Sequence, residues 1–172
     1  MILVNILVEG MADEPVAKRL LEHVGLEVGV VYGRKGKPYL LQRSAIYNKA
    51  AKFAPWFVLL DLDTDMRCAS QAIAQWLPNP AEGMRFRIAV RAIEAWIMAD
   101  RESMASFLYV APSKIQHAIE LDLNPKQTLI NIARTSRNRG IREAFVPRQD
   151  SGAKVGPLYV AKLLIAAKRS KE

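Results

Sequence analysis

Apolar residues fill almost every position of residues 2–8 (ILVNILV), and the run stops at Glu9-Gly10. A short, continuous apolar stretch reads as a strand buried on both faces. Val16, Leu20, Leu21 and Val24 recur at helical spacing and predict a helix over residues 13–24. Residues 26–33 (LEVGVVYG) predict a second strand, with Gly-Arg-Lys-Gly-Lys as its exit loop. A second helix is expected over 39–53, and Pro55 precedes a third strand over 56–62. Residues 69–77 predict a third helix, stopped by Pro78-Asn79-Pro80, and residues 84–90 (MRFRIAV) a fourth strand. Strand and helix in alternation point to an α/β fold, with a mainly parallel sheet flanked by helices.

Beyond residue 90 the pattern becomes helical. Helices are expected over 92–108, 113–123, 125–136 and 158–168, with Ser113 and Pro125 as start signals and Asp100 as an N-cap inside the first. The chain therefore divides, on this reading, into an α/β core over residues 1–100 and a helical C-terminal extension over 101–172 that packs on it. No internal repeat or low-complexity segment interrupts it.

Composition narrows the function classes. Of 172 residues, 51% are hydrophobic and 24% charged, which suits a packed globular chain rather than a disordered one. The single cysteine, Cys68, excludes an intramolecular disulfide and fits a reducing cytoplasm. The apolar start lacks the basic flank of a secretory leader and is too short to cross a bilayer, so a cytoplasmic protein with no membrane association is expected. A net charge of +8 suits an anionic partner such as nucleic acid. The basic residues gather in three runs: 33–37, with Arg34, Lys35 and Lys37; 134–142, a solvated loop with Arg137 and Arg139; and 166–172.

The candidate chemistry is acidic. Asp61, Asp63 and Asp65 follow the third strand at alternate positions, and Glu9 ends the first. In parallel α/β sheets ligands bind beyond the carboxyl ends of strands. Side chains two apart on an extended segment point the same way, so Asp61 and Asp63 are expected to face one point, within reach of Glu9 if the first and third strands are close. Converging carboxylates suit a hard divalent cation, Mg²⁺ or Mn²⁺. His23, His117 and Cys68 make no convincing zinc set. Capping of the next helix by Thr64 or Asp65 is the plainer alternative, but it needs only one such residue. An EF-hand loop is excluded, because Met66 and Ala72 stand where it needs Gly and Glu.

Glu-Gly after the first strand, followed by Asp-x-Asp after the third, resembles the TOPRIM domain of topoisomerases, bacterial primases and nucleases of the overcoming-lysogenization-defect type. The resemblance covers about residues 2–95. "LVEGMADEPVAKRLL" is similar to that nuclease pattern, with Asp13 or Glu14 as the acidic residue after Glu-Gly. "VRAIEAWIMAD" and "GAKVGPLY" resemble a small TOPRIM-related family of uncharacterised bacterial proteins suspected in phage defence beside an ATPase. The resemblance implies a TOPRIM or Rossmann-like sheet and Mg²⁺-dependent phosphodiester chemistry on nucleic acid, DNA ahead of RNA, in phage defence or DNA repair. Glu9 would serve as general acid/base or metal ligand, Asp61 and Asp63 as metal ligands, and Asp13, Glu14, Asp65 or Glu94 as further ligands. Lys154 would hold the scissile phosphate, with Arg148 the weaker choice. For Glu94 the alternative is a salt bridge to Arg91 or to a later lysine. Two other functions stay open: a non-catalytic subunit binding nucleic acid or a partner ATPase, and a haloacid-dehalogenase-like phosphatase with Asp61 as nucleophile.

Overall fold

The computed structural model describes residues 2–169, so the end of the last basic run, residues 170–172, lies outside it. The chain forms two compact units, the first ending at Val90 and the second beginning at Arg91. The first contains β1 (Leu3–Val8), α1 (Asp13–His23), β2 (Glu27–Gly33), α2 (Lys37–Ala50), β3 (Trp56–Asp61), α3 (Ala69–Trp76) and β4 (Met84–Ala89). The four strands make one sheet in the order β2-β1-β3-β4, and every pair is parallel. The α/β class expected from the alternation is the class observed.

Position in the sheet explains each strand's composition. β3 is central and all six of its residues are buried, which is why it reads as an unbroken apolar run. β2 is an edge strand and stays half-exposed. β4, the other edge, alternates: Met84, Phe86 and Ile88 are buried, while Arg85 and Arg87 are exposed. The main core joins α2 and α3 to one sheet face through Leu7, Leu40, Val58, Leu60, Ala72 and Phe86. The α1 residues Val16, Ala17 and Leu21 are buried outside that cluster, so α1 covers the opposite face, where alternation places Ile6, Val8 and Leu59.

This strand order creates a switch point. The chain leaves β1 toward β2 on one side and leaves β3 toward β4 on the other. The carboxyl ends of β1 and β3 therefore flank the crevice where doubly wound sheets bind their ligands. Gly33 makes the edge compact. Its φ is +93°, and a Cβ there would lie 2.1 Å from the Val8 carbonyl oxygen. Only glycine lets β2 end this close to β1. The following loop is then tied down, with Arg34 N–H donating to the Val8 carbonyl and Gly36 N–H to the Glu9 carbonyl, both at 2.9 Å.

The second unit contains α4 (Ile93–Ala99), α5 (Arg101–Leu108), α6 (Pro125–Arg134), α7 (Arg139–Phe145) and α8 (Tyr159–Arg169). Asp100, Asn124 and Asn138 cap α5, α6 and α7 by accepting hydrogen bonds from backbone N–H groups. Phe145 packs edge-on against Phe107 and Tyr159. Gly156 seats α8 beside α7, because a Cβ there would lie 2.3 Å from the Ala144 carbonyl oxygen.

Several expectations are corrected. Residues 113–123 form no α-helix; two single-turn 3₁₀ segments, Pro112–Lys114 and Ile119–Leu121, stand in its place. The Arg101 guanidinium donates to the Pro112 and Ile115 carbonyls, acceptors an α-helix would use for itself. The basic run 134–142 is not all loop, since the Asn138 cap starts α7 within it. The second helix begins at Lys37 rather than 39 and ends at Ala50 rather than 53. Cys68, not Thr64 or Asp65, occupies the N-cap position of α3. β3 stops at Asp61, one residue short of the expectation.

Candidate active site

Two of the acidic residues that follow β3, Asp63 and Asp65, are held by one lysine beside the β1/β3 switch point. Lys37 is the first residue of α2, and its ammonium donates to Asp63 Oδ2 at 2.6 Å and to Asp65 Oδ2 at 2.7 Å. The Lys37 side chain is only 11% exposed, while Asp63 and Asp65 are about half-exposed at 52% and 47%. Burial by itself lowers the Lys37 pKa. The hydrogen bonds to Asp63 and Asp65 and the nearby charges of Asp63 and Glu9 outweigh it, holding the ammonium above its ordinary value. The Trp76 ring adds a cation–π contact at 5.6 Å. A cation at a helix N-terminus opposes the macrodipole, so its place here depends on those carboxylates.

Two elements bring the cluster together. The tied loop after Gly33 swings the start of α2 over the end of β1. The loop after β3 turns sharply: Asp63 has φ +51°, in the left-handed region. Alternation along an extended segment therefore does not set the direction of Asp63. Asp61 ends the strand and is 9% exposed, whereas Asp63 lies out at the loop. Arg34, just after β2, is also left-handed at φ +63°. Non-glycine residues in this region cost about 1–2 kcal/mol, less for Asp, and such strain collects at functional sites.

The other acidic candidates are placed as follows. Glu9 is half-buried at the end of β1. Asp13 is buried, and its Oδ2 accepts from Gly10 N–H, closing the Glu-Gly turn. Glu14 pairs with Arg34 and with Lys18; the Arg34 hydrogen bond chiefly lowers its pKa, against the opposing effect of burial. Among the described residues, no three Asp, Glu, His or Cys side chains form a ready-made metal-holding group. Glu94 belongs to the second unit and is fully buried. Its Oε1 accepts from Tyr159 OH at 2.7 Å and lies 3.6 Å from Lys126 Nζ, while its Oε2 has no hydrogen-bond partner.

The basic candidates divide between the units. Arg34 is held by Glu14, and Lys35 lies 5.0 Å from the Tyr39 ring centroid. Arg139 pairs with Glu143 at 2.6 Å, and Arg137 is exposed. Lys154 is exposed in the loop before α8, in the second unit. The residue that sequence reasoning missed in the acidic cluster is Lys37, read there only as one of a basic loop run. Its signal was a lysine just after the second strand, which becomes informative only when β2 is known to lie beside β1.

No protein-family model, curated protein or solved structure matches this chain. No described helix is long and apolar enough to cross a membrane.

Proposed function

We propose that the first unit is a TOPRIM-like, Mg²⁺- or Mn²⁺-dependent enzyme that cleaves phosphodiester bonds in nucleic acid, DNA ahead of RNA. The observation that carries this reading is the pairing of Lys37 with both Asp63 and Asp65 at the switch-point edge, where β1 gives way to Glu9 and β3 ends in Asp61. The donor set contains only oxygen ligands, as a hard cation requires. Mg²⁺ commonly takes one or two protein carboxylates and completes its shell with water and substrate phosphate, so a preformed three-carboxylate cage is not needed. Glu9, Asp61 and Asp63 are the ligands in this reading, with Asp65 at the rim.

A bound divalent ion would neutralise phosphodiester charge and activate water. The chain's own residues supply the rest. Glu9, half-buried at the strand end, takes or returns a proton. Lys37 keeps the carboxylates together before substrate arrives. Once released from Asp63 and Asp65, its ammonium is the cation best placed to hold a phosphate oxygen. That gives Lys37 the task the resemblance implied for Lys154. A phage-defence role beside an ATPase partner belongs to the same proposal.

The test is cleavage of labelled single- and double-stranded DNA and RNA with Mg²⁺ or Mn²⁺. Glu9→Gln and Asp61→Asn should each abolish cleavage while keeping the wild-type melting temperature within a few degrees. Activity that survives excess EDTA, or persists in both variants, rejects the proposal. One observation favours the non-catalytic alternative: Lys37 already neutralises two of the carboxylates, so a binding subunit would need no metal. Nucleic-acid binding with no cleavage under any divalent ion supports that alternative.

A further inference from the structure

The second unit carries a basic cleft that the acidic site does not explain. A hollow bounded by α7, the loop after it and α8 is lined by Arg134, Arg142, Arg148 and Lys162. Its one acidic lining residue, Glu143, is occupied by Arg139. A second hollow shares Gly140 and Lys162 with the first and continues to Arg169 and Tyr109. Among the described residues no carboxylate holds any of these five cations. The two hollows share Gly140 and Lys162 and therefore make one positively charged track.

Tyr109 distinguishes this track from a merely solvated basic face. It follows the last turn of α5 at φ +55°, a position where glycine is unstrained, yet a 53% exposed aromatic residue stands there. Its backbone is pinned, since its N–H donates to the Ser106 carbonyl and its own carbonyl accepts from Arg137 N–H. An exposed ring held in a strained conformation at the end of a cationic groove is the arrangement that binds single strands: cations follow the phosphates and a ring stacks on a base. A duplex buries its base faces and offers the ring nothing to stack on.

We infer that the second unit is a binding groove for single-stranded nucleic acid, with Arg134, Arg142, Arg148, Lys162 and Arg169 tracking the backbone and Tyr109 stacking on a base. The inference does not depend on the metal chemistry proposed for the first unit.

The experiment is fluorescence anisotropy of the full chain, in EDTA, with a labelled oligothymidine of about twenty nucleotides, a duplex of equal length, and heparin as a base-free polyanion competitor. EDTA removes divalent ions, so failure of the cleavage proposal leaves this result untouched. The single strand should bind about tenfold or more tighter than the duplex. Affinity should fall with salt at a log–log slope of about −0.7 per contacted phosphate. Arg134→Glu with Arg148→Glu, both exposed positions, should weaken binding at least about tenfold. Tyr109→Gly should lower single-strand affinity about tenfold while leaving the melting temperature equal or higher, because it relieves the left-handed strain. The inference is overturned if the duplex binds as tightly as the single strand or if Tyr109→Gly leaves affinity unchanged. It is likewise overturned if heparin competes and the charge reversals have no effect.

Discussion

Replacing Lys37 with methionine tests whether this lysine is the counter-ion that lets Glu9, Asp63 and Asp65 share one edge. Methionine keeps an apolar stem and removes the charge. Two ion pairs are lost, at 2.6 and 2.7 Å, but their carboxylates are about half-exposed and regain water. Each pair therefore falls in the surface range, at most about 1 kcal/mol. The cation–π contact with Trp76 adds about 0.5 kcal/mol. Against these losses, removing a cation from a helix N-terminus returns about 0.3–1 kcal/mol. The net expectation is a loss of about 1 kcal/mol, or about 2–4 °C in melting temperature for a chain of this size. The same change should strengthen Mg²⁺ binding, because the ion no longer competes with an ammonium for the carboxylates. One kcal/mol corresponds to about fivefold. Thermal melts in EDTA and in about 10 mM MgCl₂ measure both effects, with the variant gaining more from Mg²⁺ than the wild type. If Lys37→Met melts with the wild type in EDTA and gains nothing from Mg²⁺, Lys37 is not the neutralising group. If it is destabilised yet gains nothing from Mg²⁺, the ion-pair account stands and the metal-dependent proposal fails.

Tyr159→Phe removes the hydroxyl that donates to fully buried Glu94, and should cost about 1–3 kcal/mol, read as a lower urea midpoint at unchanged slope. An unchanged midpoint would show that the carboxyl is satisfied without it. Gly33→Ala would place a Cβ 2.1 Å from the Val8 carbonyl oxygen, and should lower the melting temperature by several degrees or abolish soluble protein; a wild-type melt contradicts the close approach of β2 to β1. The Glu14 pKa is held below its ordinary 4.5, so its pair with Arg34 and Lys18 stabilises the fold above that value and is lost as pH falls through the lower, folded one. The melting-temperature gap between wild type and Glu14→Gln, worth under about 1 kcal/mol, should shrink on acidification from about pH 6 to about pH 3. A gap that stays constant across that range refutes the linkage.

The α/β class was legible because each element carries its own period. β3 is apolar throughout because it lies at the centre of the sheet, and β4 alternates because it lies at the edge. Glu9 and Asp61 were legible as strand-end residues for the same reason: an apolar run announces its own carboxyl end. The helical character of residues after 90 was readable too, including the Asp100 cap, since an N-cap acts within a few residues of itself. The helix expected over 113–123 failed because Arg101, in a different element, takes the carbonyls it needed.

Sequence alone thus determined what depends on neighbours along the chain: strands, helices, caps and the acidic residues at strand ends. Tertiary structure decided what depends on neighbours in space. The order β2-β1-β3-β4 made β1 and β3 adjacent and brought the start of α2 to the same edge. It turned Lys37 from one of a basic run into the cation among the carboxylates. It also turned Asp63 off the strand through a left-handed residue, which period-two alternation could not anticipate. The physical reason is range: propensity and periodicity act over a few residues, whereas Lys37 and Asp63 are 26 residues apart in sequence and meet only once the sheet has formed.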